Sequence, residues 1–391
     1  MLTQRVQRLT KRKGAIWALE KAQALEAQGR RIIHLEIGEP DFATPEHIIE
    51  AGVRAMRNGR SRYGAPLGTS ELRTAVAKTV SATRETAVSP DRVIITPGSK
   101  AAIYFGMMAL IEKGDEVIVP NPGFPAYASI TNMTGGTAVS WDFSGENGFR
   151  PDVDLLRTLI TPRTKMIALN SPGNPTGVVF SRSEIEQIAA VALENDLYVL
   201  ADEIYMQLHY GEMLPASILS IPGMAERTIV IDGFSKTYAM TGWRLGYGVF
   251  PQALVNPIQR MIVNDHTCVP QFIQDAGVVA LTGSQACVTE MREAYRARRD
   301  LVVSAFNQMP GVQCHLPGGA FYAMPSIKGL PVDNVLDFLE MLIQEAGVSM
   351  IPATSFGSQG AGYLRVAYAN SLANLGEAME KITAVLQQKY G

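Results

Sequence analysis

From residue 92 onward the chain alternates short apolar runs with segments of helical period. Val93-Ile94-Ile95-Thr96, Glu116-Val117-Ile118-Val119, Thr137-Ala138-Val139-Ser140 and Lys165-Met166-Ile167-Ala168-Leu169 predict strands. So do Leu197-Tyr198-Val199-Leu200, Thr228-Ile229-Val230-Ile231 and Gly246-Tyr247-Gly248-Val249-Phe250. Between and after them, helices are predicted over 99–111, 125–134, 181–194, 252–264 and 271–282. The third opens on a capping box, Ser181 with Glu184 three residues on. Strands that are apolar throughout, alternating with helices, imply a mostly parallel sheet covered on both faces, an α/β fold.

The flanking segments read differently. A helix over 12–28 and a strand over 31–36 come first. Thr44 before Pro45 predicts a cap and first-turn proline for a helix reaching residue 57. A Gly/Pro-rich loop follows over 61–68, and Thr69 caps the next helix. A long charged helix over about 284–308 predicts a connector. Beyond it come short strands near 312–315, 321–324, 348–350 and 363–368, a helix over 333–346 and a closing helix over 371–388. The division that follows is a large domain over 45–283 and a smaller α+β domain made of 1–44 and 284–391.

The chain has 391 residues with formal net charge −2 and mixed signs, so no footprint for nucleic acid or an anionic membrane is expected. Arg5, Arg8, Lys11, Arg12 and Lys13 precede no apolar stretch, so no signal peptide is expected either. No apolar run approaches the roughly 20 residues needed to span a bilayer. Cys268, Cys287 and Cys314 are too widely spaced for a disulfide framework or a zinc site, and the five histidines form no ligand pair. A reducing cytoplasm and no metal are the expectations.

Polar residues gather where the predicted strands end, the place where parallel sheets bind ligands. Gly98-Ser99-Lys100 follows the first strand and opens a helix whose free N–H groups suit an anion. Asn174 lies in the rigid loop Asn170-Ser171-Pro172-Gly173-Asn174-Pro175-Thr176-Gly177 after the fourth. Asp202-Glu203-Ile204-Tyr205 follows the fifth, and Ser235-Lys236 the sixth, with Arg244 eight residues later. A lysine there is easily desolvated, which makes its amine nucleophilic. Each residue alone has an ordinary structural explanation. Together, an anion cradle, an amide, a carboxylate, a lysine and an arginine are what a pyridoxal phosphate pocket requires.

With those residues in view, the chain resembles the class I/II pyridoxal-phosphate aminotransferases of the aspartate aminotransferase fold, fold type I. The run from Gly233-Phe234-Ser235-Lys236 to Arg244-Leu245-Gly246 is similar to that family's lysine signature. The Asn174 loop, Asp202-Glu203-Ile204-Tyr205, Gly38-Glu39-Pro40-Asp41-Phe42 and Tyr363-Leu364-Arg365-Val366-Ala367-Tyr368 extend the resemblance over nearly the whole chain. It implies Lys236 as the Schiff-base lysine and proton shuttle, Asp202 against the pyridine nitrogen, and Asn174 and Tyr205 on the ring oxygen. Phe124, where many relatives have Trp, would stack on the ring. Gly98, Ser99, Lys100, Ser235 and Arg244 would cradle the phosphate, joined by Tyr63 from a partner subunit, hence a homodimer. Arg365, helped by Gly38 and Asn174, would bind the substrate carboxylate. Gly233 departs from the many relatives that place a phosphate-binding serine there.

The implied reaction moves the amino group of an L-α-amino acid to a 2-oxo acid by a ping-pong route. A lyase, cyclase or oxidase on the same cofactor residues is the alternative. A non-enzymatic binding protein would be expected to have lost Lys236 or Asp202, and a nicotinamide dehydrogenase would carry G-x-G-x-x-G after an early strand. Substrate choice stays open: no arginine lies in 262–269, although Arg260 is just before it. Trp17, Asp265 and His266 are expected near the side-chain pocket.

Overall fold

The computed structural model describes residues 3–7 and 14–390. Arg8, Lys11, Arg12 and Lys13 lie outside these residues, as does the predicted start of the first helix, which is seen over Gly14–Glu26.

All seven predicted strands form, and they form one sheet. They are β1 (Val93–Thr96), β2 (Glu116–Asn121), β3 (Thr137–Asp142), β4 (Thr164–Asn170), β5 (Tyr198–Asp202), β6 (Thr228–Gly233) and β7 (Gly246–Val249). The spatial order is β1-β7-β6-β5-β4-β2-β3. Neighbours from β6 to β3 pair parallel, and β7 alone runs antiparallel, to β1 and β6. Side chains alternate between two covered faces, as the pleat requires. Ile94, Val117, Met166, Leu200, Ile229 and Ile231 pack against helices Ser99–Leu110, Ala126–Thr134 and Gln252–Asp265. Val93, Ile95, Val230 and Val249 meet helices Glu46–Arg57, Ser70–Thr83 and Gln271–Thr282 on the other side. Ile167, Val199 and Ala201 there meet Arg182–Glu194, which keeps its Ser181–Glu184 capping box.

A further core joins the two ends of the chain. Helices Ala286–Gln308 and Leu372–Tyr390 pack on an antiparallel sheet of Ile351–Pro352, Leu364–Ala367 and Tyr322–Ala323. Ile33–His34 pairs parallel with Val348–Ser349 beside it. Ile204, Tyr205 and Leu208, which follow β5, reach into the same core and tie it to the main sheet.

Three local readings need correction. Thr44 caps nothing: the helix starts at Glu46 with an extended Pro45 at its cap position, and the Thr44 hydroxyl instead donates to Ala239 O at 2.7 Å. Residues 312–315 make only a single bridge, Gln313 to Ser326. The side chain of Asn307 bonds both backbone groups of Cys314, which replaces a strand partner. The predicted helix over 333–346 is regular only over Val335–Met341 and widens to a π-turn over Leu342–Ala346. A short helix over Phe234–Thr237, absent from the sequence reading, carries Lys236. Among the described residues no helix is long and apolar enough to cross a membrane.

The sheet meets the helix Ser99–Leu110 at close quarters. A Cβ on Gly246 would lie 2.3 Å from Ser99 N and 2.5 Å from Gly98 C, backbone atoms that cannot swing aside. Gly246→Ala is therefore expected to lower stability by roughly 1–3 kcal/mol, as overpacking does, read from urea denaturation. An unchanged midpoint would contradict this contact.

Candidate active site

The carboxyl ends of β1, β4, β5 and β6 open on one cavity of about 430 Å³. It is lined by Gly38, Ser99, Lys100, Phe124, Asn174, Asp202, Tyr205, Ser235, Lys236, Arg244 and Arg365, all named from the sequence. Gly98 stands at its edge: with φ of 82° it takes a conformation that favours glycine, and a Cβ there would meet Arg244 Nη2 at 2.2 Å. Tyr63 is not brought to this cavity; it is 85% exposed on the surface.

Lys236 Nζ donates to Gly38 O at 2.6 Å. Burial lowers its affinity for a proton to a pKa of about 8; the Glu39 carboxylate opposes this, and Arg365, Arg244 and Lys100 reinforce it. The following loop is bent hard. Ala239 and Arg244 adopt φ of 51° and 54°, a strained region for residues with a Cβ, and strain of this kind concentrates at functional sites. Arg244 Nη1 donates to Thr241 O at 2.7 Å, which turns the guanidinium toward Gly98.

Asp202 is the last residue of β5. The Tyr127 hydroxyl donates to its Oδ2 at 2.7 Å and Ile204 N to its Oδ1. Burial raises its pKa to about 6, and the charges of Asp232 and Glu203 push the same way while the two hydrogen bonds oppose. Next to it, Asn170 Nδ2 donates to Asp202 O, and Asn170 Oδ1 accepts from Asn174 N at 2.7 Å. This aims the Asn174 side chain, whose Oδ1 is buried without a partner. An amide's two ends interchange by a flip, so Asn174 has a free hydrogen-bonding position inside the cavity.

Arg365, on the strand Leu364–Ala367, is 5% exposed. Its Nη2 donates to Glu36 O, its Nε has no partner, and among the described residues no carboxylate pairs with it. The rings of Tyr322 and Phe356 lie 4.7 and 5.2 Å from the guanidinium. A buried guanidinium left this way is prepared for an anion. Altogether Lys100, Lys236, Arg244 and Arg365 face two carboxylates, Glu39 and Asp202, across the cavity.

Three comparisons with known proteins bear on this arrangement. The profile of the family described as aminotransferase class I and II matches residues 30–382. The chain belongs to that family. It is 37% identical to an aspartate aminotransferase of Musicola paradisiaca, covering 95% of this chain and 93% of that one. It is 40% identical to aromatic-amino-acid aminotransferase 2 of Thermococcus litoralis, covering 94% of each. Among solved structures, the aspartate aminotransferase of Rhizobium meliloti superposes with a TM-score of 0.95 at 33% identity over 99% of both chains. The fold is fold type I, and the aminotransferase is pyridoxal-phosphate-dependent.

The residues fit that cofactor. The cationic excess suits a phosphate together with a carboxylate, the unpartnered Asn174 amide suits a ring oxygen, and a buried carboxylate and a deprotonable lysine line the same cavity. The Gly233 departure has a local cause. A Cβ there would lie 2.3 Å from Ser99 Oγ, which already donates to Asp232 O at 2.8 Å.

Sequence reasoning gave no role to Tyr127, Asn170 or Tyr322. Asn170 falls inside a quoted motif, but its partners and those of Tyr127 are set by packing. Tyr322, whose hydroxyl lies 2.9 Å from that of Tyr205, carried no signal beyond a short apolar run. Conversely, Trp17, Asp265 and His266 do not line the cavity: Trp17 packs into two hydrophobic cores, and His266 bonds Asp265 at the end of its helix.

In the cofactor-free protein the Lys236 amine should react with an acylating reagent with a midpoint near pH 8. Peptide mapping of the labelled sites across pH measures it. A midpoint near the ordinary lysine value of about 10.4 would contradict the burial argument.

Proposed function

We propose that this chain transfers the amino group of an L-α-amino acid to a 2-oxo acid, with each named residue in a defined role. The observation that carries the assignment is the buried, unpaired Arg365 on the same cavity as a lysine held near neutrality.

When bound, pyridoxal phosphate supplies an aldehyde that carries the amino group and a ring that takes up the electron pair left at Cα. Asp202, braced by Tyr127, holds a proton at the ring nitrogen. Asn174 and Tyr205 bind the ring oxygen, and Phe124 supplies a flat apolar face. The N-terminus of the helix Ser99–Leu110, with Gly98, Ser99, Lys100, Ser235 and Arg244, holds the phosphate. Arg365 grips the substrate α-carboxylate with its free Nε–H and an Nη–H, a fork that lysine lacks. Lys236 Nζ would take the proton from the substrate Cα and hold it for delivery to the cofactor's former aldehyde carbon, so that the amino group stays with the cofactor and the substrate leaves as a 2-oxo acid. Ile37, Ile103 and Ile204 restrict water around that transfer. One site serves both half-reactions, so the first product leaves before the second substrate enters.

The same reading keeps residues 45–283 as the cofactor-binding domain and 1–44 with 284–391 as the second. Tyr63, exposed and away from its own cavity, reaches the phosphate of a neighbouring subunit in a homodimer. The three free cysteines suit a reducing cytoplasm.

A screen of amino donors with 2-oxoglutarate or pyruvate, following an isotope-labelled amino group, tests the transfer. Label appearing in a new amino acid supports it; ammonia or a decarboxylated amine as the main product would count against it. Arg365→Ala should lower kcat/KM for both substrates by on the order of a hundredfold, the loss of two charged hydrogen bonds. Arg365→Lys should recover only part. Steady-state kinetics with both substrates checks this, and an unchanged value would remove Arg365 from the site.

A further inference from the structure

The functional carboxylate and lysine lie on one side of the sheet, and a second charged cluster lies directly behind them. In β5, Leu200 and Asp202 face the helices Ser99–Leu110 and Ala126–Thr134, where Tyr127 bonds Asp202. In β6, Ile229 and Ile231 face the same way, while Val230 turns to the opposite face. Glu203 and Asp232 turn there too, and both meet Arg84, the residue that ends the helix Ser70–Thr83.

Arg84 is 2% exposed, Glu203 4% and Asp232 5%. Arg84 Nε donates to Glu203 Oε2 at 2.9 Å, Nη2 to Asp232 Oδ2 at 2.5 Å and Nη1 to Thr83 Oγ1 at 2.7 Å. The remaining acceptor positions are taken as well. Ser217 Oγ donates to Glu203 Oε1, Tyr247 Oη to Asp232 Oδ2 and Gly233 N to Asp232 Oδ1. None of the three charged side chains lines the cofactor cavity.

A buried ion cluster is weak evidence for stability, since apolar packing of the same volume does as well. Its location suggests another use. Glu203 follows Asp202 directly, and Asp232 precedes Lys236 by four residues. The Asp232 carbonyl also accepts the Ser99 hydroxyl at the phosphate cradle. The cluster therefore touches three parts of the site through the backbone. It also leaves one net negative charge, two carboxylates against one guanidinium, beneath them.

We propose that Arg84 is a positioning residue for amino-group transfer: it clamps the ends of β5 and β6 through Glu203 and Asp232 and sets the charge behind Asp202 and Lys236. The inference rests on the roles given to those two residues above. Around Asp202 the groups that act on its proton are Tyr127, the Ile204 N–H, Glu203 and Asp232. Around Lys236 they are Glu39, Arg365, Arg244 and Lys100, and Tyr247 faces Arg84 itself. Because Glu203 and Asp232 raise the proton affinity of Asp202, Arg84 holds that effect in check.

The test is a pH titration of the visible absorption of the cofactor-loaded enzyme, which reports protonation beside Lys236. Removing a positive charge should raise the midpoint, and removing a negative one should lower it. Arg84→Met should shift it upward by on the order of one pH unit, the effect of a unit charge several ångströms away at an effective dielectric of about 20. Glu203→Gln should shift it downward. The double variant Arg84→Met/Glu203→Gln restores the net charge and should return toward the parent, and Arg84→Lys should stay near it.

Midpoints unmoved in both single variants, or a double variant displaced as far as Arg84→Met, would overturn the inference and leave the cluster a packing element. If Arg84→Met does not fold, Glu203→Gln and the double variant decide the question by the sign and the recovery of the shift. A parent enzyme whose bound cofactor shows no titrating band would count instead against the roles of Asp202 and Lys236.

Discussion

Keeping one amine partly withdrawn from solvent and ringed by positive charge is the constraint on which this structure depends. Lys236 sits at the end of a fully buried strand, and three further cations share its cavity. Each disfavours its ammonium form, so the amine is available near neutral pH. Glu39 opposes them from the cavity rim, with its carboxylate engaged by Thr241. A lysine on a solvated loop would have neither property.

The sheet supplies the positions. Parallel strands point their carboxyl ends the same way, so polar residues at successive ends of β1, β4, β5 and β6 meet without any one segment holding them all. The antiparallel β7 returns the chain so that Arg244 and Gly246 lie against Gly98 and Ser99. The second core delivers Arg365 across the mouth, and it is anchored to the main sheet by Tyr205, whose hydroxyl meets that of Tyr322. The groups proposed to hold the cofactor and the substrate carboxylate thus come from both cores, which meet at a pair of tyrosines.

Much of this was legible from the residues. The seven strands could be read because burial on both faces makes them apolar throughout, a signal that needs no partner to be known. Lys236, Asp202 and Asn174 were readable because polar residues gather past the ends of successive apolar strands, and Arg244 because it follows Lys236 within one signature run. Residues whose role depends on distant packing were not. Tyr127 reaches Asp202 across 75 positions, and Arg84 reaches Glu203 across 119. Thr44 misled because its local pattern matches a cap, whereas a contact to Ala239 far along the chain decides its conformation. Residues 312–315 misled for the same reason, since the side chain of Asn307 satisfies the backbone that a strand would have paired.

Lys236 is the residue proposed to join the cofactor, and every other role assigned in the cavity depends on it. Borohydride reduction of the pyridoxal-phosphate-loaded protein, followed by peptide mass spectrometry, tests this directly. Cofactor fixed on the peptide that contains Lys236, and no fixation in Lys236→Ala, is the predicted result. Fixation on another lysine of the parent protein, or an unaltered visible spectrum and retained fixation in Lys236→Ala, would contradict it.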